Sequence, residues 1–232
     1  MKDFHAPGLL ACTALVFALI ATSCGGGNDV SSMTTSSQVA PSASLGWPPE
    51  SAGAVKQDDG TYRTPDGRIF AAPDRFATQD CGDLRWPVAH DTVDQALKAG
   101  VAVYSVEWLT HHVHAYVGVF VDGDPVVVPA GIGIDNDEHR IAGLHTHDCS
   151  GTVHVEVEKE ADLTLGQVAD TWGVRLDETC FDDLCGPNRR VEVRLNGVPV
   201  ANHRGVAITD CVEILIVIGA PPDIPHARAE GC

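Results

Sequence analysis

Residues 111–134, HHVHAYVGVFVDGDPVVVPAGIGI, carry the strongest hairpin signal of the chain. Two runs rich in β-branched and aromatic residues are separated by Asp-Gly, a pair that favours the tight turn of a β-hairpin. Side chains alternate between the two faces of a strand, so Val113, Val117 and Val119 share one face and His112 and His114 share the other. The stretch therefore predicts a hairpin whose valine face packs in the core.

One helix and several further strands are predicted around this hairpin. Residues 162–173, DLTLGQVADTWG, combine a Thr164–Gln167 capping box, an apolar face at helical spacing and Gly173 as a stop. A shorter helix is predicted after Asp91. Strands are predicted at 101–109, 152–160, 189–200 and 212–219. This order predicts an α+β fold, a β-rich sheet with one packed helix, in a single globular domain over 56–232 with its core in 109–220.

The C-terminal part carries a likeness to a known layout. RLNGVPV (194–200) followed by ITDCVEILIVIG (208–219) resembles the closing strands of small ubiquitin-like and transcobalamin-type modules. The resemblance covers about 70 residues, 152–219, and implies a β-grasp-like C-terminal part. An all-β cupredoxin-like sandwich is the alternative prediction.

The N-terminus predicts export and an anchor. Lys2 precedes an apolar run over 9–21 that is too short to span a bilayer, so 1–23 is predicted to be a signal peptide. ATSCGGG (21–27) resembles a bacterial lipobox, which implies a lipid on Cys24 and a place on the outer face of the membrane. It departs from the lipobox pattern at Ala21 and Asp3. The alternative is an ordinary signal and a secreted protein; residues 24–55, rich in Gly, Ser, Thr and Pro, are predicted to form a flexible tether.

The net charge of the chain narrows its possible binding partners. The formal net charge of −17 argues against nucleic acid as a partner, because binding nucleic acid needs clustered Lys and Arg, and it favours cations.

An even number of cysteines outside the cytosol predicts disulfides. The six cysteines of the globular domain are Cys81, Cys149, Cys180, Cys185, Cys211 and Cys232. The closest pair, Cys180–Cys185, is predicted first, and Cys149–Cys211 and Cys81–Cys232 follow by elimination.

Clustered histidines predict a metal site. Imidazole binds Cu, Zn, Ni and Fe, and Met1 and Met33 are the only methionines, so Cu(II) or Zn(II) fits better than Cu(I). Asp148 and Glu156 are predicted to be additional ligands or acceptors that orient the imidazoles. The candidate ligands are His112, His114, His145, His147 and His154. The hypothesis requires the rings of the two His-x-His pairs to converge, within about 10 Å, because first-shell bonds are roughly 2 Å long.

The same segment resembles a family of secreted bacterial proteins. The shared features are the paired histidines, VPAGIGI, LHTHD, HVE and a TLGQ helix, over residues 110–220. The resemblance implies the same five histidine ligands and no particular reaction. The family has a further histidine where this chain has Tyr116, which puts one potential ligand in doubt.

Three functions are open at this point. The first is a lipid-anchored protein outside the cytoplasm that binds a transition metal for capture, buffering or delivery, without catalysis. The second is an enzyme: LHTHDCSGT is similar to the opening of histidinol-phosphatase-like metal hydrolases, and His-x-His is also typical of cupin-type oxygenases. The third is a β-grasp-like interaction module without a metal. Its histidines would be solvated or pH-responsive.

Overall fold

The computed structural model describes residues 53–186, 189–220 and 232. The predicted signal peptide, Cys24 and the predicted tether up to residue 52 lie outside these residues. Two helices are described, α1 (Thr92–Lys98) and α2 (Leu165–Trp172). Neither has the length and apolar character that a membrane-spanning helix needs.

The strands are short and numerous, and they make the described part of the chain β-rich. They are β1 (Val55–Lys56), β2 (Tyr62–Arg63), β3 (Ile69–Ala71), β4 (Val103–Tyr104), β5 (Glu107–Trp108), β6 (His111–Val121), β7 (Asp124–Val126), β8 (Ile134–Asp135), β9 (Arg140–Ala142), β10 (Leu144–His145), β11 (Thr152–Val157), β12 (Cys180–Phe181), β13 (Leu184–Cys185), β14 (Val191–Leu195), β15 (Val198–Val200) and β16 (Glu213–Ile218).

A seven-stranded mixed sheet forms the centre. Its order is β10-β11-β6-β16-β14-β15, with β7 paired to β6. β6 and β16 run parallel and the other pairs are antiparallel. Three smaller sheets follow the orders β1-β2-β3-β5, β4-β9-β8 and β12-β13. Several sheets with two helices make this an α+β protein, as the sequence predicted at that level.

The predicted hairpin is confirmed as β6 and β7. Its turn residues Asp122 and Gly123 both have positive φ, 52° and 95°, which suits the twist of a tight hairpin. The valine face of β6 is buried: Val117 and Val119 are each 1 % exposed. The opposite face carries the histidines at one end. Further along the same face, a small apolar cluster is formed by Phe120, Leu215 and Val217 with Tyr116 packed against it.

Helix α2 packs its predicted apolar face into the main core. The Thr164–Gln167 capping box is present, and Gly173 ends the helix in the left-handed conformation with φ 90°. The four predicted face residues, Leu165, Val168, Ala169 and Trp172, are buried. The helix is therefore specified locally at both ends and by tertiary packing along one side.

The segment before the hairpin is more ordered than the sequence indicated. No structure was predicted for 56–90, yet β1, β2 and β3 form there and Phe70 and Trp86 enter the main core. The predicted strand 101–109 is wrong as one strand: a bend at 105–106 divides it into β4 and β5, which join different sheets. Helix α1 packs with α2, so two helices rather than one are packed in the fold. Strand and helix partners in this region lie far away in sequence, which local patterns do not encode.

Three disulfides join the six cysteines of the domain. Cys180–Cys185 is as predicted. The other two predicted pairs are wrong: the structure has Cys81–Cys149 and Cys211–Cys232. The reason is the path of segment 77–81, which lies against the loop that follows β10, where Gln79 N donates to His147 O at 2.9 Å. Three disulfides indicate an oxidising compartment outside the cytoplasm.

Candidate metal centre

The main sheet arranges histidines in rows across three strands. β11 lies between β10 and β6, and its register sets His154 opposite His145 on one side and His114 on the other. Two residues along β11, Glu156 lies opposite His112. Neighbouring strands are about 4.8 Å apart and alternate residues share a face, so these side chains lie together on one face.

The imidazole nitrogens converge. His112 Nε2 and His114 Nε2 are 2.8 Å apart, and His145 Nε2 and His147 Nε2 are 3.1 Å apart. The ring of His154 lies between the two pairs, with its centroid 4.4 Å from that of His114 and 4.7 Å from that of His147. We call the pair His145 and His147 the inner pair and the pair His112 and His114 the outer pair.

Two groups of candidate ligands share His154. The first contains the inner pair, His154 and Glu156, and the second contains the outer pair and His154. Within each group, one ligand atom from each residue lies within 4.8 Å of the others. The structure therefore brings all five predicted histidines into one site, together with Glu156.

The two pairs do not lie on adjacent strands of the main sheet. β11 separates them and contributes His154 from the middle. His147 lies beyond the end of β10, in an irregular segment, so strand alternation does not explain its position. Asp148, predicted as a ligand or an orienting acceptor, is in neither group, and its Oδ1 accepts a hydrogen bond from Ser150 N at 2.8 Å.

Backbone carbonyls orient the inner pair. His145 Nδ1 lies 2.8 Å from Ala142 O, and His147 Nδ1 lies 2.8 Å from Ala77 O. A carbonyl can only accept, so each Nδ1 carries the proton and each Nε2 presents its lone pair to the site. This second contact of a ligating imidazole is the arrangement that fixes its tautomer in metal sites.

The VPAGIGI segment, residues 128–134, holds the inner pair from behind. Thr146, between the two histidines, donates through Oγ1 to Pro129 O at 2.7 Å and accepts from Ile132 N at 3.1 Å. Gly131 N donates to Thr146 O at 2.8 Å, and Thr146 N donates to Ile132 O at 3.1 Å. VPAGIGI and LHTHD, which are separate motifs in the sequence, therefore form one structural unit.

Glu156 supplies negative charge at the centre of the site. Its side chain is 5 % exposed, and Oε1 lies 3.1 Å from His112 Nε2, 3.5 Å from His154 Nδ1 and 3.8 Å from His145 Nε2. Burial acts to raise the pKa of Glu156, but the neighbouring His154, His145 and His112 outweigh it and lower that pKa. Its other oxygen, Oε2, is buried without a hydrogen-bond partner. Leaving a buried carboxylate oxygen unpaired is unfavourable, and a cation would remove the penalty.

Burial keeps three of the imidazoles neutral. It lowers the pKa of His145 to about 3 and also lowers the pKa values of His147 and His112. A metal ion binds neutral imidazole, so these histidines can act as ligands near neutral pH without first losing a proton. Neutral nitrogen donors around one carboxylate are suited to a divalent transition metal.

Glu107 is a site residue that the sequence reading missed. It comes from β5, outside the main sheet, and its Oε1 lies 3.7 Å from His147 Nε2. Burial, and then the charge of Glu156, raise the pKa of Glu107 to about 7. The available signal was a single acid between apolar residues in VEWL (106–109), which is weak on its own.

The described residues contain a third group of possible ligands, at Asp210, Cys211 and Cys232. The two cysteines are joined to each other, so neither offers the thiolate that a metal needs.

The site thus combines five imidazoles and a buried carboxylate, a donor set that could hold a metal ion. Glu107 lies beside it as a second acid. Comparison of the chain with models of protein families, with curated proteins and with solved structures gave no match.

Proposed function

We propose that this protein binds a transition metal ion, Cu(II) or Zn(II), at the histidine site and serves in capture, buffering or delivery of the metal outside the cytoplasm. The observation that carries the proposal is the convergence of ligand atoms from His145, His147, His154 and Glu156 within 4.8 Å of one another. Three further features support it: the carbonyl contacts that turn two Nε2 atoms inward, the neutral state of the buried imidazoles and the unpartnered Oε2 of Glu156.

The central experiment measures metal retention. The purified protein is stripped with a chelator, reloaded with Zn(II) or Cu(II), desalted and analysed for metal content. We expect the metal to stay bound, and His145→Ala combined with His147→Ala to weaken binding at least 100-fold, because two of the first group's ligands are lost. His111→Ala is the matched control. It changes a neighbouring histidine on β6 that belongs to neither ligand group.

Thermal melting gives an independent reading. A ligand that binds only the folded state adds about 2.7 kcal/mol of stability when its free concentration is 100 times its Kd. We expect the metal-loaded protein to melt well above the stripped protein. Equal melting temperatures with and without metal would contradict the proposal and would favour the interaction module without a metal.

The setting of the site is also part of the proposal. We propose that Cys24 carries a lipid and that residues 24–52 hold the domain off the membrane as a tether, so that the site faces the space outside the cell membrane. The tether predicted for 24–55 is too long at its end, because Ala54 is buried in the core and Val55 belongs to β1. The lipobox-like ATSCGGG sequence supports this. Mass spectrometry of protein from the native envelope tests it: acyl groups on Cys24 are expected, and a mature chain without them would mean a secreted protein.

We further propose that the β-grasp-like layout predicted for 152–219 also includes β6 and extends over residues 111–218. What supports it is the strand order β11-β6-β16-β14-β15, with β6 and β16 parallel neighbours, and the place of α2 between β11 and β14 in the chain. An experimental structure tests this topology. In such a layout the proposed metal site lies on β6 and β11, at the edge of the sheet to which β10 is added.

Metal-dependent hydrolysis is the second candidate, and Glu107 favours it. A half-buried acid beside the ligands, and outside both ligand groups, is positioned as a general base would be. Hydrolysis of a simple ester or phosphoester by the Zn(II)-loaded protein, abolished in Glu107→Gln with metal content unchanged, would establish it. The absence of turnover in the loaded wild-type protein would leave binding alone.

A further inference from the structure

The number of donors exceeds what one four-coordinate ion uses. A zinc ion in a closed protein site takes four ligands. The site offers five imidazoles and Glu156, and four of the imidazoles form two pairs whose Nε2 atoms face each other at 2.8 Å and 3.1 Å. Each pair therefore forms the beginning of a separate coordination sphere.

His154 differs from the other histidines of the first group in how its ring is held. His145 and His147 each use Nδ1 on a backbone carbonyl, which leaves one nitrogen for a metal. His154 Nδ1 is buried and has no backbone partner; its contact is with Glu156 Oε1 at 3.5 Å, which is longer than an ordinary hydrogen bond. Its Nδ1 is therefore not committed to the backbone, unlike those of the inner pair.

The ring of His154 lies where it can contribute to both ligand groups. His154 belongs to both ligand groups, and its ring lies edge-on to His114 on one side and to His147 on the other. Its ring is also nearly parallel to that of His145, with an interplanar angle of 8°. Among the residues that the structure describes, no other belongs to both groups.

We infer that the centre holds two ions, one on the inner pair and one on the outer pair, with the imidazole of His154 bridging them. The inference rests on the proposed function and deepens it. In neutral imidazole one nitrogen carries a proton, so binding of the second ion releases that proton to solvent and both nitrogen lone pairs become metal bonds. Glu156 lies within reach of both pairs and contributes a negative charge between the two cations.

Burial makes the two ions unequal. The side chain of His145 is 1 % exposed, whereas that of His112 is 31 % exposed. The inner ion is thus enclosed by protein, and the outer ion is open to solvent and to a competing ligand. A retained inner ion beside an exchangeable outer ion is the arrangement that a metal delivery protein needs.

Titration with Cu(II), followed by electron paramagnetic resonance, tests the bridge in the full protein. We expect two equivalents to bind. The first should give a full-intensity Cu(II) signal, and the second should reduce the integrated signal per copper, because two Cu(II) spins joined through imidazolate couple antiferromagnetically. About one proton per chain should be released with the second ion beyond the release seen in His154→Ala.

Variants separate the two positions. His112→Ala should bind one equivalent, retain it against a chelator and show no spin coupling. His154→Ala should lose the coupling, and circular dichroism shows whether it is folded. His111→Ala, the matched control on the same strand, should behave as wild type with two equivalents and a coupled signal.

The outcomes distinguish this inference from the proposed function. One tightly bound equivalent, or two equivalents at full signal intensity, would overturn the bridged pair while metal binding stands. No retained metal in the wild-type protein would overturn both. Because the decisive signal is measured on the wild-type protein, it does not depend on whether any variant folds.

Discussion

Gly133 supports the proposed metal site, although it offers no ligand atom itself. It has φ 72°, and a Cβ there would lie 2.4 Å from Leu144 O and 3.3 Å from His145 Cβ. The close approach lets segment 128–134 pack directly behind the inner pair. A side chain at 133 would push the backbone at 144–145 outward and with it the imidazole of His145.

We therefore expect Gly133→Ala to lower both stability and metal affinity. Positive φ alone costs roughly 1–2 kcal/mol for a residue with a Cβ, and the clash with the Leu144 carbonyl adds to it. Gly60→Ala is the matched control, since Gly60 also has positive φ, 88°, but nothing lies within 4 Å of its Cβ position. Urea unfolding and Zn(II) titration measure the two effects. Equal losses in both variants would show that the contact behind His145 is unimportant.

Asp177 gives a pH-dependent prediction at the same scale. Hydrogen bonds from the backbone and side chain of Thr179, followed by Arg175, lower its pKa to about 2. A carboxyl whose folded pKa is depressed stabilises the fold above its unfolded pKa of about 3.8, and this contribution is lost as the pH falls to about 2.

Asp177→Ala should destabilise the protein at pH 7 by less than about 2 kcal/mol, since the side chain is partly exposed. The difference from wild type should shrink between pH 4 and pH 2, where wild-type Asp177 becomes protonated. Thermal melts across this range measure it. A difference that stays constant down to pH 2 would be inconsistent with the depressed pKa.

At the scale of elements, the strands and helix α2 divide the work. The strands place ligands by register: a shift of β11 by one residue would turn His154 and Glu156 to the opposite face. Helix α2 packs its apolar face into the main core, and its capping box and Gly173 define its two ends. Gln167 links two elements, since its Oε1 accepts from Thr164 N at 2.9 Å and its Nε2 donates to Ala99 O, just after α1, at 3.1 Å.

Gln167→Ala should therefore cost about 1–2 kcal/mol, because both a helix cap and a contact to the end of α1 are lost. Gln167→Glu is the informative comparison: it keeps an acceptor for Thr164 N but has no amide donor for Ala99 O. We expect it to fall between wild type and Gln167→Ala in urea unfolding. Metal content should stay unchanged in both, because α2 contributes no ligand.

At the scale of the whole molecule, the Cys81–Cys149 disulfide links the proposed metal site to the segment 77–81. It joins residues 68 apart in sequence, whereas Cys180–Cys185 closes a loop of separation 5. The cross-linked segment also supplies Ala77 O, which orients His147, and Gln79 N, which bonds to His147 O. The disulfide thus holds segment 77–81 against the inner pair.

Replacing both cysteines, Cys81→Ser with Cys149→Ser, should destabilise the protein by about 4 kcal/mol on the chain-entropy model and also weaken Zn(II) retention. Cys180→Ser with Cys185→Ser is the matched control, with about 2 kcal/mol lost and no change in retention. Denaturation and chelator competition measure these effects. Unchanged retention in the first variant would mean that the disulfide stabilises the fold without supporting the site.

Features set by neighbouring residues could be predicted from the sequence. The β6–β7 hairpin, the capping box and C-terminal glycine of α2 and the short Cys180–Cys185 bridge all depend on contacts within a few residues. So does the shared face of His112 and His114, because strand alternation fixes it. The composition of the histidine segment also indicated the five candidate ligands.

The tertiary structure alone decided how these parts meet. It inserted β11 between the two histidine pairs, brought Glu107 beside His147 and paired Cys149 with Cys81. Each of these contacts joins residues far apart in the chain, and their energy comes from packing of the whole core. Local propensity and spacing carry no information about such partners, because the chain must close long loops before those contacts exist.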